Sequence, residues 1–144
     1  MTKKLALAVI LGLATTSVAH AQAFNPLETR QAGQDLLAGN YAGIKAVVAA
    51  KGDVKTLENP AKAMARWMKQ FTLLFPPGSD QGATKALPAV WSDSAGFKKA
   101  ADEFVAAATK LQELAKAGDA DAVATQVKAV GDACGNCHKT YRQR

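Results

Sequence analysis

The sequence predicts an all-α protein, an antiparallel four-helix bundle with a long crossover between the second and third helices. Four segments carry apolar residues at helical spacing, and none shows the period-two alternation of β-branched and aromatic residues that is typical of strands. The first and last pairs of segments are joined by short connections, which favour antiparallel neighbours. A much longer connection separates the two pairs, and it supplies the crossover.

The first two helices are each predicted to start at an Asn-Pro pair, Asn25-Pro26 and Asn59-Pro60. Asn caps a helix N-terminus well, and Pro is tolerated at the first helical position because the N–H group there has no intrahelical partner. Two of the inward positions of the first helix are polar, where a plain core would be apolar. The predicted inward stripes are Leu27, Arg30, Gln34, Leu37, Tyr41, Ile44 and Val48 on the first helix, and Met64, Trp67, Met68, Phe71 and Leu74 on the second.

The second helix is expected to stop at Pro76-Pro77-Gly78, and the connection after it runs to about Ser92. This stretch is rich in Pro, Gly, Ser and Asp, and loops of such length in compact domains are usually crossovers or functional covers. Its apolar residues are available to anchor it to the bundle. They are Leu87, Val90 and Trp91.

The third helix is predicted to be capped by Asp93 or Ser94 and to end at Gly118, and the fourth begins between Asp119 and Asp121. In the fourth helix the two cysteines occupy inward positions, so whatever they hold lies inside the bundle. The stripes are Phe97, Ala101, Phe104, Ala108, Leu111 and Ala115 on the third helix, and Val123, Val127, Val130, Cys134, Cys137 and Tyr141 on the fourth.

The N-terminus has the pattern of a secretion signal, residues 1–21: Lys3 and Lys4, then an apolar run, then small residues with cleavage after Ala21 or Ala23. The apolar run is about half of the roughly 20 residues that a bilayer crossing needs. We therefore expect residues 24–144 to form the folded domain, in the periplasm and not in the membrane. Its basic residues are scattered without interleaved aromatic residues, which gives no support to nucleic-acid binding.

The segment Cys134-Gly135-Asn136-Cys137-His138 matches the attachment pattern of c-type haem. On a helix the two thiols share one face, where they can form thioether bonds to neighbouring vinyl groups, and the next residue brings an imidazole to the iron. Three alternatives remain at this point. A redox dithiol would need a strand–helix context, a zinc site would need further ligands, and a disulfide across so short a loop would stabilise little.

His138 is the only imidazole left once His20 is removed with the signal, so a second histidine ligand within the chain is excluded. The sixth iron position is then open or is filled by a weaker ligand such as Met64 or Met68, whose alternative role is to fill the core. Arg30 would be costly to bury unpaired, and a haem propionate is a ready partner. Arg142 lies one helical turn after His138 and can approach the imidazole or a propionate; for both arginines the alternative is solvation.

The chain resembles the cytochrome c′ family in three places: E-T-R-Q-A-G at 28–33, A-V-W-S-D at 89–93, and V-G-D-A-C-G-N-C-H-K-T-Y-R at 130–142. The resemblance implies a homodimer and a single covalent haem c. It also implies that the iron is five-coordinate and is ligated by the motif histidine alone. The residues that it assigns to the cofactor are Cys134, Cys137, His138, Arg30 on a propionate, Gln31 beside it, Gln34 on the distal side, and Arg142 beside the histidine.

Gln34 departs from the family pattern, in which the distal side chain is more often apolar or aromatic. Its amide could hydrogen-bond an iron-bound ligand or water, which is inconsistent with a simple transfer of the family's preference for CO and NO over oxygen. We expect a protein that is not an enzyme. It binds diatomic gas, transfers single electrons to redox partner proteins, or does both. The alternatives are a low-spin six-coordinate electron carrier and, more remotely, a haem-free thiol oxidoreductase.

Overall fold

The computed structural model describes residues 24–144. Four long helices form the bundle: α1 (Pro26–Ala49), α2 (Glu58–Phe71), α3 (Ser94–Ala117) and α4 (Ala120–Tyr141). No strand occurs within this described range, and the long crossover joins α2 to α3 as expected. The predicted fold class is therefore confirmed. The predicted signal peptide and both cleavage sites lie outside the described residues.

The start of α1 was predicted correctly, and the start of α2 was not. The Asn25 side chain accepts hydrogen bonds from the backbone N–H groups of the first turn of α1. By contrast, α2 begins at Glu58, one residue before the predicted cap, because a 3₁₀ helix, Val54–Leu57, leads directly into it. Asp53 caps this 3₁₀ helix, and burial of its apolar side chains fixes the chain there. The Asn-Pro pair thus lies inside the first turn of α2.

The predicted inward faces of α3 and α4 form the centre of the core. All six residues predicted for the stripe of α3 are buried, as are Val123, Val127 and Val130 of α4. The Asp93 side chain accepts a hydrogen bond from the Gly96 N–H group, so the cap of α3 is Asp93 and not Ser94. At the other end Gly118 has a left-handed φ of 79°, the conformation that glycine adopts most easily and that closes many helices.

A close approach of α1 to α2 depends on Gly33. A Cβ atom at this position would overlap the indole ring of Trp67, so the absence of a side chain lets the ring lie against the α1 backbone. Farther along, the Asn40 amide donates to the carbonyl of Pro60 at 2.9 Å. These contacts hold α1 beside α2, although only three residues of α1 are buried. They are Arg30, Gly33 and Ile44.

The crossover is tied to the end of α4. Val90, which was predicted to anchor it, is buried within a single helical turn, Ala89–Ser92. An isolated antiparallel bridge pairs Ala86 with Arg142. The backbone N–H of Leu87 donates to the Tyr141 carbonyl at 3.0 Å, and the next residues continue the pairing. Within residues 24–144, no helix combines the length and apolar character needed to cross a membrane.

Candidate haem site

A cavity of about 710 Å³ opens between the four helices and the crossover. Its volume is within the range of about 300–1,000 Å³ that is usual for small-molecule and cofactor sites. Its wall is mainly apolar and includes all seven residues of the predicted cofactor set, together with a stretch of the crossover. The residues that concern the chemistry are Arg30, Gln31, Gln34, Tyr41, Met64, Met68, Phe71, Phe75, Phe97, Cys134, Cys137, His138, Tyr141 and Arg142.

Cys134 and Cys137 are half-buried free thiols on the cavity wall. Burial raises the pKa of the Cys134 thiol. Burial, together with the neighbouring Cys134, raises the pKa of Cys137 to about 11. A redox dithiol needs a lowered pKa, which the N-terminus of a helix can supply, whereas this pair lies near the C-terminal end of α4. The site therefore argues against a thiol oxidoreductase.

His138 follows the cysteines on the same stretch of wall. Partial burial lowers the pKa of its imidazole, and the positive charge of Arg142 lowers it further. The neutral form that results is the form that ligates a metal. In the described range, no group of three or more His, Cys, Asp or Glu residues is placed to hold a metal ion. One imidazole and two thiols facing an apolar cavity fit a covalently attached haem.

Arg30 is buried, with 4% of its surface exposed, so it is not a solvated arginine. Its Nη1 donates to the Leu74 carbonyl at 3.1 Å and to Ser79 Oγ at 3.0 Å, and its Nη2 donates to the Ser79 carbonyl at 2.7 Å. The guanidinium also lies 4.4 Å from the centre of the Phe75 ring. Arg30 therefore clamps the start of the crossover at the cavity wall. Sequence reasoning missed these partners, because nothing in the local pattern links α1 to Ser79.

The other polar residues predicted for the site also lie on the cavity wall. Gln34 is half-buried there, and the exposed Gln31 donates from Nε2 to the Ala83 carbonyl at 3.1 Å. Arg142 was expected to continue the helix one turn beyond His138. Instead it has an extended backbone, because it pairs with Ala86 of the crossover, while its N–H still donates to the His138 carbonyl at 3.2 Å.

The two methionines of α2 both reach the cavity, but their burial differs. Met64 is 1% exposed and belongs to the central core, as its core-filling alternative predicts. Met68 is half-buried and packs at the edge of that core.

Aromatic side chains form one side of the cavity, and the sequence reading did not assign them to the site. Phe71, Phe75, Phe97 and Tyr141 line it with rings packed against one another. The Tyr141 hydroxyl donates to Asp93 Oδ2 at 2.8 Å, and this bond, with burial, raises the pKa of Tyr141 to about 12. The inward position of Tyr141 was visible in the α4 stripe, whereas its pairing with the helix cap was not.

The family model described as Cytochrome C′ matches residues 25–142, nearly all of the described range. The chain belongs to the cytochrome c′ family. A cytochrome c′ from Rubrivivax gelatinosus is 36% identical over 121 residues, which cover 82% of this chain and 94% of the relative. A crystal structure of the cytochrome c′ from Thermochromatium tepidum is 31% identical, covers 83% of this chain and 95% of its own, and has a TM-score of 0.77.

A third similar structure is the nitric oxide complex of a cytochrome c prime variant from Alcaligenes xylosoxidans. It is 28% identical, covers 83% of this chain and 94% of its own, and has a TM-score of 0.75. Cytochromes c′ are c-type haem proteins, so the cofactor of this chain is one covalent haem c. The predicted family and cofactor are therefore confirmed.

Proposed function

We propose that Cys134 and Cys137 hold the haem and that His138 is the only protein ligand of its iron, so that the protein binds the diatomic gases NO and CO. The observation that carries this proposal is the single imidazole on the wall of an apolar cavity, directly after two thiols on the same helix. When bound, the haem supplies an iron with an open sixth position. The nitric oxide complex of the Alcaligenes relative supports the same chemistry here.

The residues of the chain have separate parts in this proposal. Thioether bonds from the two cysteines retain the haem, and the low pKa of His138 keeps its ring nitrogen available to the iron at neutral pH. Gln34 contributes an amide that can hydrogen-bond a gas ligand. Arg30 and Arg142 contribute positive charge for the propionates. The apolar wall excludes water from the bound gas.

The second candidate function is single-electron transfer between exported partners. Met68 favours it, because this half-buried thioether reaches the cavity and could complete a six-coordinate, low-spin iron. An open iron position favours gas binding, since a change of coordination on reduction slows electron transfer. In both candidate functions the haem binds a gas or carries an electron, and neither function includes the turnover of a substrate.

The first experiment tests covalent attachment. Protein expressed with haem-maturation machinery should keep its haem through acid-acetone extraction and should have the mass of the peptide plus one haem. The double variant Cys134→Ser, Cys137→Ser should release all of its haem. Release of the haem from the wild type would remove the proposal.

The second experiment tests the sixth position. The reduced protein should give a high-spin, five-coordinate resonance Raman spectrum, and CO should shift it. Gln34→Leu should change CO affinity and the Fe–CO stretching frequency. The matched control is Gln31→Leu, which should change neither, because the Gln31 amide of the wild type donates to the Ala83 carbonyl. A low-spin spectrum that is insensitive to CO would favour the electron carrier, and Met68→Leu would then identify its ligand.

We further propose that the protein is exported to the periplasm and forms a homodimer through the outer face of α1. Leu36 is 76% exposed on this helix, and apart from the neighbouring residues and backbone of α1 itself, nothing lies within 4 Å of a Cβ built at Gly39 or Gly43. Because the two glycines have no side chains and Leu36 is apolar, a second helix can approach this face closely. Sedimentation equilibrium should show a dimer that Leu36→Glu converts to a monomer. Leu73→Glu, at a residue that is 72% exposed on the 3₁₀ turn after α2, should leave the dimer intact.

A further inference from the structure

An unbroken series of aromatic rings leads from the haem cavity to the crossover. We define this aromatic array as Tyr141, Phe97, Phe75 and Trp91. Its ring centres are 5.3 Å apart from Tyr141 to Phe97, 4.9 Å from Phe97 to Phe75, and 5.8 Å from Phe75 to Trp91. The first three rings line the cavity, and Trp91 lies behind them with a partly exposed side chain. The two ends of the array are thus the two residue types that most readily give up an electron.

Tyr141 has a partner that can take its proton. Oxidation of a phenol to a neutral radical requires the hydroxyl proton to leave, and the Tyr141 hydroxyl donates to the Asp93 carboxylate at 2.8 Å. Tyr41, the only other tyrosine in the chain, also lines the cavity. Its hydroxyl donates to the Val127 carbonyl at 2.9 Å, and a backbone carbonyl does not accept a proton outright. Of the two tyrosines, Tyr141 is therefore the one whose hydroxyl has a proton acceptor beside it.

The two tryptophans differ in the hydrogen bonding of the indole N–H group and in how each ring meets the aromatic cluster. The Trp91 indole N–H donates to the Pro76 carbonyl at 3.2 Å on the outer side of the crossover. The Trp67 indole nitrogen is buried without a hydrogen-bond partner, beneath the α1 backbone at Gly33. Trp67 reaches the aromatic cluster only through Phe71, at 6.1 Å between ring centres. Both tryptophan side chains are half-buried, but of the two Trp91 is the one that packs directly on the array, against Phe75.

We propose that Tyr141 and Trp91 pass single electrons from a small phenolic donor at the protein surface to the haem, so that the protein reduces hydrogen peroxide at the expense of phenols. The inference rests on the proposed attachment of haem at the cavity. In the overall reaction one peroxide and two phenols give two waters and two phenoxyl radicals. The O–O bond breaks, and each phenol loses one electron and one proton.

Within the protein, each electron moves in two steps. Tyr141 gives an electron to the haem while its hydroxyl proton moves to Asp93. Trp91 then restores Tyr141 through the rings of Phe97 and Phe75, and the proton returns from Asp93 to the tyrosine oxygen. Trp91 takes its own electron from the phenol. The two protons released by the phenols balance the two that the oxygen atoms of the peroxide gain.

The experiment uses the haem-loaded protein, first checked for covalent haem by mass and for CO binding. After mixing with hydrogen peroxide and rapid freezing, electron paramagnetic resonance should show a tyrosyl radical. Tyr141→Phe should remove the signal and Tyr41→Phe should keep it. Asp93→Asn keeps the oxygen that caps α3 and replaces Oδ2 by an amide nitrogen, which cannot take a proton, so it should slow radical formation by about a hundredfold, as loss of a positioned proton acceptor does.

The tryptophan variants test the second step. Trp91→Phe should leave the tyrosyl radical longer-lived and should lower the rate of phenol oxidation, whereas Trp67→Phe should change neither. A radical on Tyr41, an unaltered rate in Asp93→Asn, or the absence of any tyrosyl radical would overturn the inference. Loss of the haem on extraction would instead defeat the proposed function, so the two failures are distinguishable.

Discussion

Replacement of Arg30 by Met tests whether the guanidinium holds the crossover in place. The variant keeps much of the apolar volume but removes three hydrogen bonds to Leu74 and Ser79 and the contact with Phe75. A hydrogen bond from a charged group contributes about 1.5–3 kcal/mol and a cation–π contact about 0.5–2 kcal/mol. Because the three bonds share one side chain and are not additive, we expect a total loss of about 3–5 kcal/mol in the free energy of unfolding.

The assay is urea unfolding of the haem-loaded protein followed by far-ultraviolet circular dichroism. With a denaturant slope of about 2 kcal/mol per molar, the midpoint should fall by about 1.5–2.5 M. The matched control is Arg66→Met, which removes an exposed arginine from α2 and should stay within about 0.5 kcal/mol of the wild type. Equal midpoints for the two variants would refute the clamp.

The haem spectrum and reduction potential of Arg30→Met report separately on the predicted propionate bond. A change in both, in a variant that remains helical, would support a propionate partner. A large loss of stability with an unchanged spectrum and potential would assign Arg30 to the crossover alone.

Two further predictions follow from the packing. Gly33→Ala should lower the free energy of unfolding by about 1–3 kcal/mol, because its Cβ meets the Trp67 ring. Urea midpoints measure the loss, and a midpoint equal to that of the wild type would contradict the close approach. The pKa of Tyr141 is raised to about 12 from an ordinary value near 10. Its protonated hydroxyl therefore stabilises the fold fully below about pH 10, and this stabilisation is lost as the pH rises toward 12. The stability difference between the wild type and Tyr141→Phe should therefore shrink over that interval, and a constant difference would contradict the assignment.

The fold class could be predicted because the helical signals in this chain are local. The stripe of α3, the cap at Asp93 and the left-handed Gly118 each depend on residues a few positions apart. The α2 start shows the limit of such reasoning, because Asn59-Pro60 is a good start signal and the burial of Val54 and Leu57 overrides it.

The sequence by itself determined the haem chemistry. Five consecutive residues, Cys134 to His138, place two thiols and one imidazole on a single helix, so no long-range contact is needed to bring them together. Among residues 24–144 His138 is the only histidine, so no second imidazole in that range competes with it for the iron.

Only the tertiary structure decided what surrounds that motif. The clamp from Arg30 to Ser79, the bond from Tyr141 to Asp93 and the bridge from Arg142 each join residues more than 40 positions apart. Such pairs depend on how the crossover folds back over the bundle, and the crossover has no periodic pattern that predicts its path. Sequence periodicity places a side chain on the inward face of its own helix, but the partner that it meets there is set by the packing of the other elements.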